Sequence, residues 1–167
     1  MKKIFLLLSI VSVIGLTSCE SDDDVYIEQR SEIFEVDNVN FIASGDFQAL
    51  IPLNPKILYN DVILVYRLAG ANQLGSDIWE PIPTTYNLDE GQLDYNFDFS
   101  QDEVVIYLDT TFDPMLRQDF SLNQIFRIVI VPGYVAQNLD SNNYDVVMSA
   151  LKEANGSKGE IQIQTLK

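Results

Sequence analysis

The sequence predicts an all-β fold: a β-sandwich of about seven or eight mostly antiparallel strands, with one short C-terminal helix packed on a face. Three features predict it. Most of the chain from residue 32 onward alternates apolar and polar side chains between turn residues, the pattern of half-buried strands. Two stretches, Val62–Ala69 and Gln124–Val131, are apolar almost throughout, and each carries one interior arginine, Arg67 and Arg127. Such runs belong to central strands whose two faces are both covered. A single segment is spaced as a helix: Tyr144, Val147, Met148 and Leu151 fall on one stripe, with Asn142 or Asn143 as N-cap, Asp145 in the first turn and Gly156 beyond the end.

In chain order, Met1, Lys2 and Lys3 precede an apolar run from Ile4 to Ile14 broken only by Ser9 and Ser12, the layout of a secretory leader. The run is too short for a membrane span, which needs about 20 apolar residues. It ends at Leu16-Thr17-Ser18-Cys19, which resembles the lipobox of bacterial lipoproteins. That resemblance implies cleavage after Ser18 and a lipid on Cys19. Cys19 is the one cysteine of the chain, so no intramolecular disulfide can form. A free or intermolecular thiol is the competing reading. Two or more acyl chains would hold the protein on its membrane stably.

Residues 19–31 hold five acids, with Glu32 following as a sixth, against Arg30 alone. Such a segment buries too little apolar surface to offset its ordering entropy, so it is expected to be a disordered tether reaching roughly 40 Å at full extension. Glu20, Ser21, Asp22, Asp23 and Asp24 also resemble the acidic export signal that sends Bacteroidetes lipoproteins to the cell surface. The expected location is therefore the outer membrane, surface-displayed, with a periplasm-facing orientation or a plain acidic spacer as the alternatives.

The folded domain is expected over residues 32–167. Phe34 and Val36 alternate with Glu35 and Asp37, and Phe47, Ala49, Ile51 and Leu53 form a second strand before the Asn54-Pro55 turn. Pro81 and Pro83 lack the donor a ladder needs, so Ile78–Tyr86 is expected at a sheet edge or in an irregular connection. Leu93, Tyr95, Phe97 and Phe99 alternate with Asp94, Asn96 and Asp98 in the clearest strand. It should form a hairpin with Val104–Asp109. Ile161, Ile163 and Thr165 end the chain as a last short strand.

Composition excludes several chemistries. The formal net charge is −15, and loss of Lys2 and Lys3 with the leader makes it −17. Nucleic acid and anionic lipid surfaces are thus poor partners, because both need basic residues to neutralise phosphate. The membrane contact expected is the lipid anchor alone. The chain has no histidine and no second cysteine, which removes histidine-based nucleophilic systems and thiolate metal sites. No cofactor is implied, and carboxylate chemistry is what remains.

Candidate sites are correspondingly few. Asp94, Asp98 and Asp102 could offer oxygen ligands to a Ca²⁺ ion, although Phe99 and Val105 stand where an EF-hand loop needs glycine and glutamate. The acids around them are also the place to seek a glycosidase-like carboxylate pair. Trp79 and Tyr86 form an aromatic group suited to stacking on sugar rings, the alternative being ordinary core or edge covering. Ser149 and Lys152 match S-x-x-K inside the helix without its companion motifs. Gly70–Gly75 begins a phosphate-loop spacing but puts Ser76 in the lysine place. Asp109-Thr110-Thr111 resembles a Bacteroidetes O-glycan attachment site.

Taken together, Asp61-Val-Ile-Leu-Val-Tyr66, Asp77-Ile-Trp-Glu-Pro-Ile-Pro83, Gly91-Gln-Leu-Asp-Tyr-Asn-Phe97 and Asn123-Gln-Ile-Phe-Arg-Ile-Val-Ile-Val-Pro132 resemble a family of small flavobacterial lipoproteins of unknown function. The likeness runs over most of residues 33–152. It implies no catalytic or binding residues. Relatives often carry a collagen-like segment after the lipidated cysteine, where this chain has Glu20–Asp24. The function expected is a non-enzymatic interaction or structural module of the envelope, with a glycan-binding accessory domain and a carboxylate-dependent hydrolase as alternatives.

Overall fold

The computed structural model describes residues 32–137, 139–155 and 163–166. Among them, nine strands form two sheets. The five-stranded sheet contains β1 (Glu32–Val39), β3 (Val62–Ala71), β4 (Asp77–Ile82), β8 (Gln124–Val131) and β9 (Ile163–Leu166), in the order β4-β3-β8-β1-β9. The four-stranded sheet contains β2 (Gln48–Pro52), β5 (Thr84–Leu88), β6 (Gly91–Phe99) and β7 (Glu103–Thr110), in the order β2-β7-β6-β5. Every pairing is antiparallel except that of β9 with β1. The last strand stands where the sequence predicts one, with Ile161 outside the described residues, and it runs parallel to β1.

Both continuously apolar strands are central and covered on two sides. In β8, Phe126, Ile128 and Ile130 face the second sheet, while Val129 and Val131 face the opposite way. In β3, Ile63 and Val65 face inward and Tyr66 outward. The inter-sheet core is organised by Phe41, Tyr95 and Phe126, whose rings meet edge-on with all three centroid separations 5.9 Å. Edge-on pairing brings the positive rim of one ring to the negative face of the next, worth about 1 kcal/mol per pair beyond burial.

The outer side of the larger sheet is closed by α3 (Tyr144–Ala154), preceded by the short helices α1 (Gln118–Ser121) and α2 (Gly133–Ala136). The Asn143 side chain accepts a bond from the amide of Val146, capping α3 as its sequence predicts. Val147 and Leu151 are fully buried against Ile33, Val129 and Val131. A helix packs on this sheet because its outward residues are apolar here. On the smaller sheet they are mostly polar, apart from Leu50, Val105 and Tyr107.

The proline-flanked stretch resolves into two edge strands. Chain leaves β4, at the edge of one sheet, and enters β5, at the edge of the other, through Pro83 alone. In β1, a bulge between Val36 and Val39 lets both face the core, and Asn38 absorbs the extra residue at φ 55°. Gly91 opens β6 at φ 143°, close under Thr111.

Candidate functional site

Arg67 and Arg127 are adjacent in the β3–β8 ladder: Arg127 lies opposite Tyr66, and Arg67 opposite Phe126. Alternation sends their side chains to opposite faces of the sheet, and both are buried, at 7% and 8% exposure. A charge taken out of water needs compensation or it unfolds its surroundings. The molecule supplies it differently on each face.

On the outer face, Arg127 donates from Nε to Oε1 of Glu35 at 3.0 Å, and from Nη2 to the same oxygen. Its Nη1 donates to the Tyr144 hydroxyl. The guanidinium carbon stands over Trp79, 3.8 Å from the ring centroid, with the Tyr144 ring 5.5 Å away. Tyr144 is the first residue of α3 and meets Tyr66 edge-on at 5.1 Å, so the arginine pins the helix start to the sheet. The Tyr66 hydroxyl donates to the carbonyl of Ser141 at 3.1 Å. Burial first, then the neighbouring Tyr144 and Asp140, push its pKa up to about 12. Tyr144 is also raised by burial, against the opposing pull of Arg127.

On the inner face, Arg67 sits in an aromatic cage of Tyr95, Phe120 and Tyr86, at 5.0, 5.1 and 5.6 Å from their centroids. Its Nε donates to Gln124 Oε1 at 2.8 Å. Gln124 is oriented by its own amide group, which donates to the carbonyls of Asp119 and Leu122 at 3.0 and 2.7 Å. Nη1 donates to the Tyr86 hydroxyl at 3.3 Å, and that hydroxyl donates in turn to Glu80. Glu80 itself stands 4.0 Å from Nη1. Burial and the bond to Glu80 raise Tyr86 to about 12, while Arg67 pulls the other way. Tyr95 is raised further, mainly by burial, and its hydroxyl donates to the carbonyl of Phe120.

Trp79 and Tyr86 therefore do not share a platform, contrary to the expectation of a joint stacking surface. Trp79 belongs to β4 and packs with the outer cluster, whereas Tyr86 belongs to β5 and packs on the inter-sheet core. The sheet change at Pro83 separates them. Each instead covers one buried arginine. The interior arginines in two apolar strands were the available signal, since a buried guanidinium needs aromatic faces and acceptors around it.

Nor are Asp94, Asp98 and Asp102 gathered as a calcium site. Asp94 accepts from Thr85 Oγ1 and from Gln92 Nε2, the latter at 2.7 Å. Asp98 lies four residues along an extended strand, about 13 Å away at the usual rise. Asp102 turns the β6–β7 hairpin and pairs with Lys56. Among the described residues no cluster of three or more potential metal ligands occurs. Gly70 lies at the end of β3, paired with Ile78, and Gly75 belongs to the β3–β4 hairpin turn, in which the Asn72 side chain accepts from the amides of Leu74 and Ser76 at 2.9 and 3.0 Å. Ser149 donates to the carbonyl of Asp145 within α3, 2.7 Å away. The Thr110 hydroxyl donates to the carbonyl of Phe112 at 2.6 Å. Leu16, Thr17, Ser18, Cys19 and Glu20–Asp24 lie outside the described residues.

A third feature is the open face of the smaller sheet. Pairing sets its outward side chains in rows: Leu50, Val105 and Asp98; then Gln48, Tyr107 and Asn96; then Asp109, Asp94 and Thr85. All are half-buried or exposed, and Leu50 is 61% exposed. Among the described residues no helix is long and apolar enough to cross a membrane. Comparison of the chain with protein-family models, with curated proteins and with solved structures yields no match.

Proposed function

We propose that this chain is a lipid-anchored protein of the bacterial envelope, displayed at the outer-membrane surface, whose β-sandwich serves as a non-enzymatic interaction or structural module. The observation that carries it is the short apolar leader ending at Leu16-Thr17-Ser18-Cys19, followed at once by Glu20-Ser-Asp-Asp-Asp24. The likeness to small flavobacterial lipoproteins supports the same reading. So does the state of the polar interior: Arg67 and Arg127 are held by Gln124, Tyr86, Glu35 and Tyr144 in bonds that fasten strands and helix together.

The test is Cys19→Ser expressed in a bacterium that processes lipoproteins. The wild-type protein should fractionate with membranes and carry acyl mass on Cys19, and the variant should be released. A variant that stays lipid-bound, or a wild-type terminus without acyl mass, overturns the anchor. Replacing Asp22, Asp23 and Asp24 with alanine should protect the protein from protease added to intact cells, and unchanged cleavage would refute the export role.

A further inference from the structure

We propose that the open face of the four-stranded sheet docks a basic partner protein segment, one that presents lysine or arginine side chains around an apolar centre. This deepens the interaction-module reading and rests on it.

The two sheets treat their outer faces oppositely. The larger sheet turns Ile33, Val129 and Val131 outward and covers them with Val147 and Leu151 of α3. The smaller sheet turns outward an apolar strip at its β2–β7 side, made by Leu50, Val105 and Tyr107. Leu50 is 61% exposed and stands on an edge strand. Around the strip lie Asp94, Asp98, Glu103 and Asp109, and no lysine or arginine faces outward from these four strands. None of the four carboxylates has a lysine or arginine partner among the described residues. Asp94 and Asp109 are directly paired across β6 and β7, an arrangement that like charges make unfavourable. A cationic partner relieves that repulsion, and the apolar strip gives it a dry centre.

Charge decides among occupants. A second copy would press eight carboxylates together across the interface, and the chain is already at −15. Anionic lipid and nucleic acid are repelled for the same reason. A neutral glycan could stack on Tyr107 but would leave the carboxylate repulsion standing. A basic segment satisfies both halves of the face, and its encounter rate and affinity should depend on salt.

The test uses the full chain purified in a non-ionic detergent and a fluorescein-labelled ten-residue peptide of alternating lysine and valine, followed by anisotropy. Binding should weaken about tenfold when salt rises from about 20 to 200 mM, as screening shortens the reach of the carboxylates. Asp98→Lys with Asp109→Lys should weaken it about tenfold or more, and Leu50→Arg should do so separately. Asp145→Lys with Glu153→Lys, the same charge change placed on exposed positions of α3, should alter it less than twofold. Equal losses from the face and the α3 variants would reduce the effect to net charge and overturn the proposal. So would absence of peptide binding, or salt-independent binding of neutral glycans at Tyr107 in its place. Amide shifts on peptide addition, confined to β2, β6 and β7, keep the test decisive should a variant fail to fold. None of these outcomes bears on lipidation of Cys19.

Discussion

Glu35→Ala removes the carboxylate that accepts two bonds from Arg127 and leaves the guanidinium in a site where the arginine side chain is 9% exposed. Stripping one partner from a fully buried ion pair costs about 3–5 kcal/mol. Here the Glu35 side chain is 22% exposed, so water partly screens the pair and reaches the vacancy. The Tyr144 hydroxyl and the Trp79 face remain, and a desolvated cation–π contact is worth about 2 kcal/mol. The expected loss is therefore about 2–3 kcal/mol. At a slope of about 1–3 kcal/mol per molar urea, that moves the unfolding midpoint down by about 1 M or more. Trp79 is the one tryptophan in the chain and lies on this arginine, so its fluorescence reports the site directly. The companion variant is Arg127→Met with Glu35→Leu. Replacing both charges by apolar groups should cost less than Glu35→Ala alone, since no ion is then left buried. A Glu35→Ala shift under about 0.5 kcal/mol, or a double variant whose cost is the sum of its singles, would refute the argument that this pair compensates a buried charge.

Four further outcomes follow from the same geometry. Tyr86→Phe deletes the hydroxyl that links Glu80 to Arg67 and should cost about 1–2 kcal/mol in urea unfolding, whereas Tyr59→Phe, at a 93% exposed position, should cost nothing measurable. Gly91→Ala puts a methyl 2.3 Å from Thr111 Oγ1 on a backbone at φ 143°, so it should lower stability by about 2 kcal/mol, a loss that Thr111→Ala does not restore in full because the strained φ persists. Tyr66 and Tyr86 ionise near 12 when folded and near 10 when unfolded. The folded state then holds protons the unfolded state has lost, so stability is whole below pH 10 and falls from there to pH 12, by up to about 1.4 kcal/mol per pH unit per tyrosine; a flat profile across that window would contradict it. Asp109→Asn removes the like-charge pairing with Asp94 and should raise stability by about 0.5 kcal/mol, read from the urea midpoint at low salt.

Local periodicity alone determined a good deal of this protein. Alternation marks β6 from Leu93 to Phe99, unbroken apolarity marks β3 and β8 as central, the spacing of Tyr144, Val147 and Leu151 marks α3, and prolines mark the edges. Each is a property of a few consecutive residues, because strand and helix periods are set by the backbone itself. What stands opposite a given side chain is set by pairings between residues far apart in the chain, which no local pattern encodes. Only tertiary structure could decide that Glu35 meets Arg127 across 92 positions, that β9 runs parallel beside β1, and that Pro83 passes the chain between sheets and turns Trp79 and Tyr86 to different arginines. The same long-range pairing left one sheet face covered by a helix and the other open and acidic.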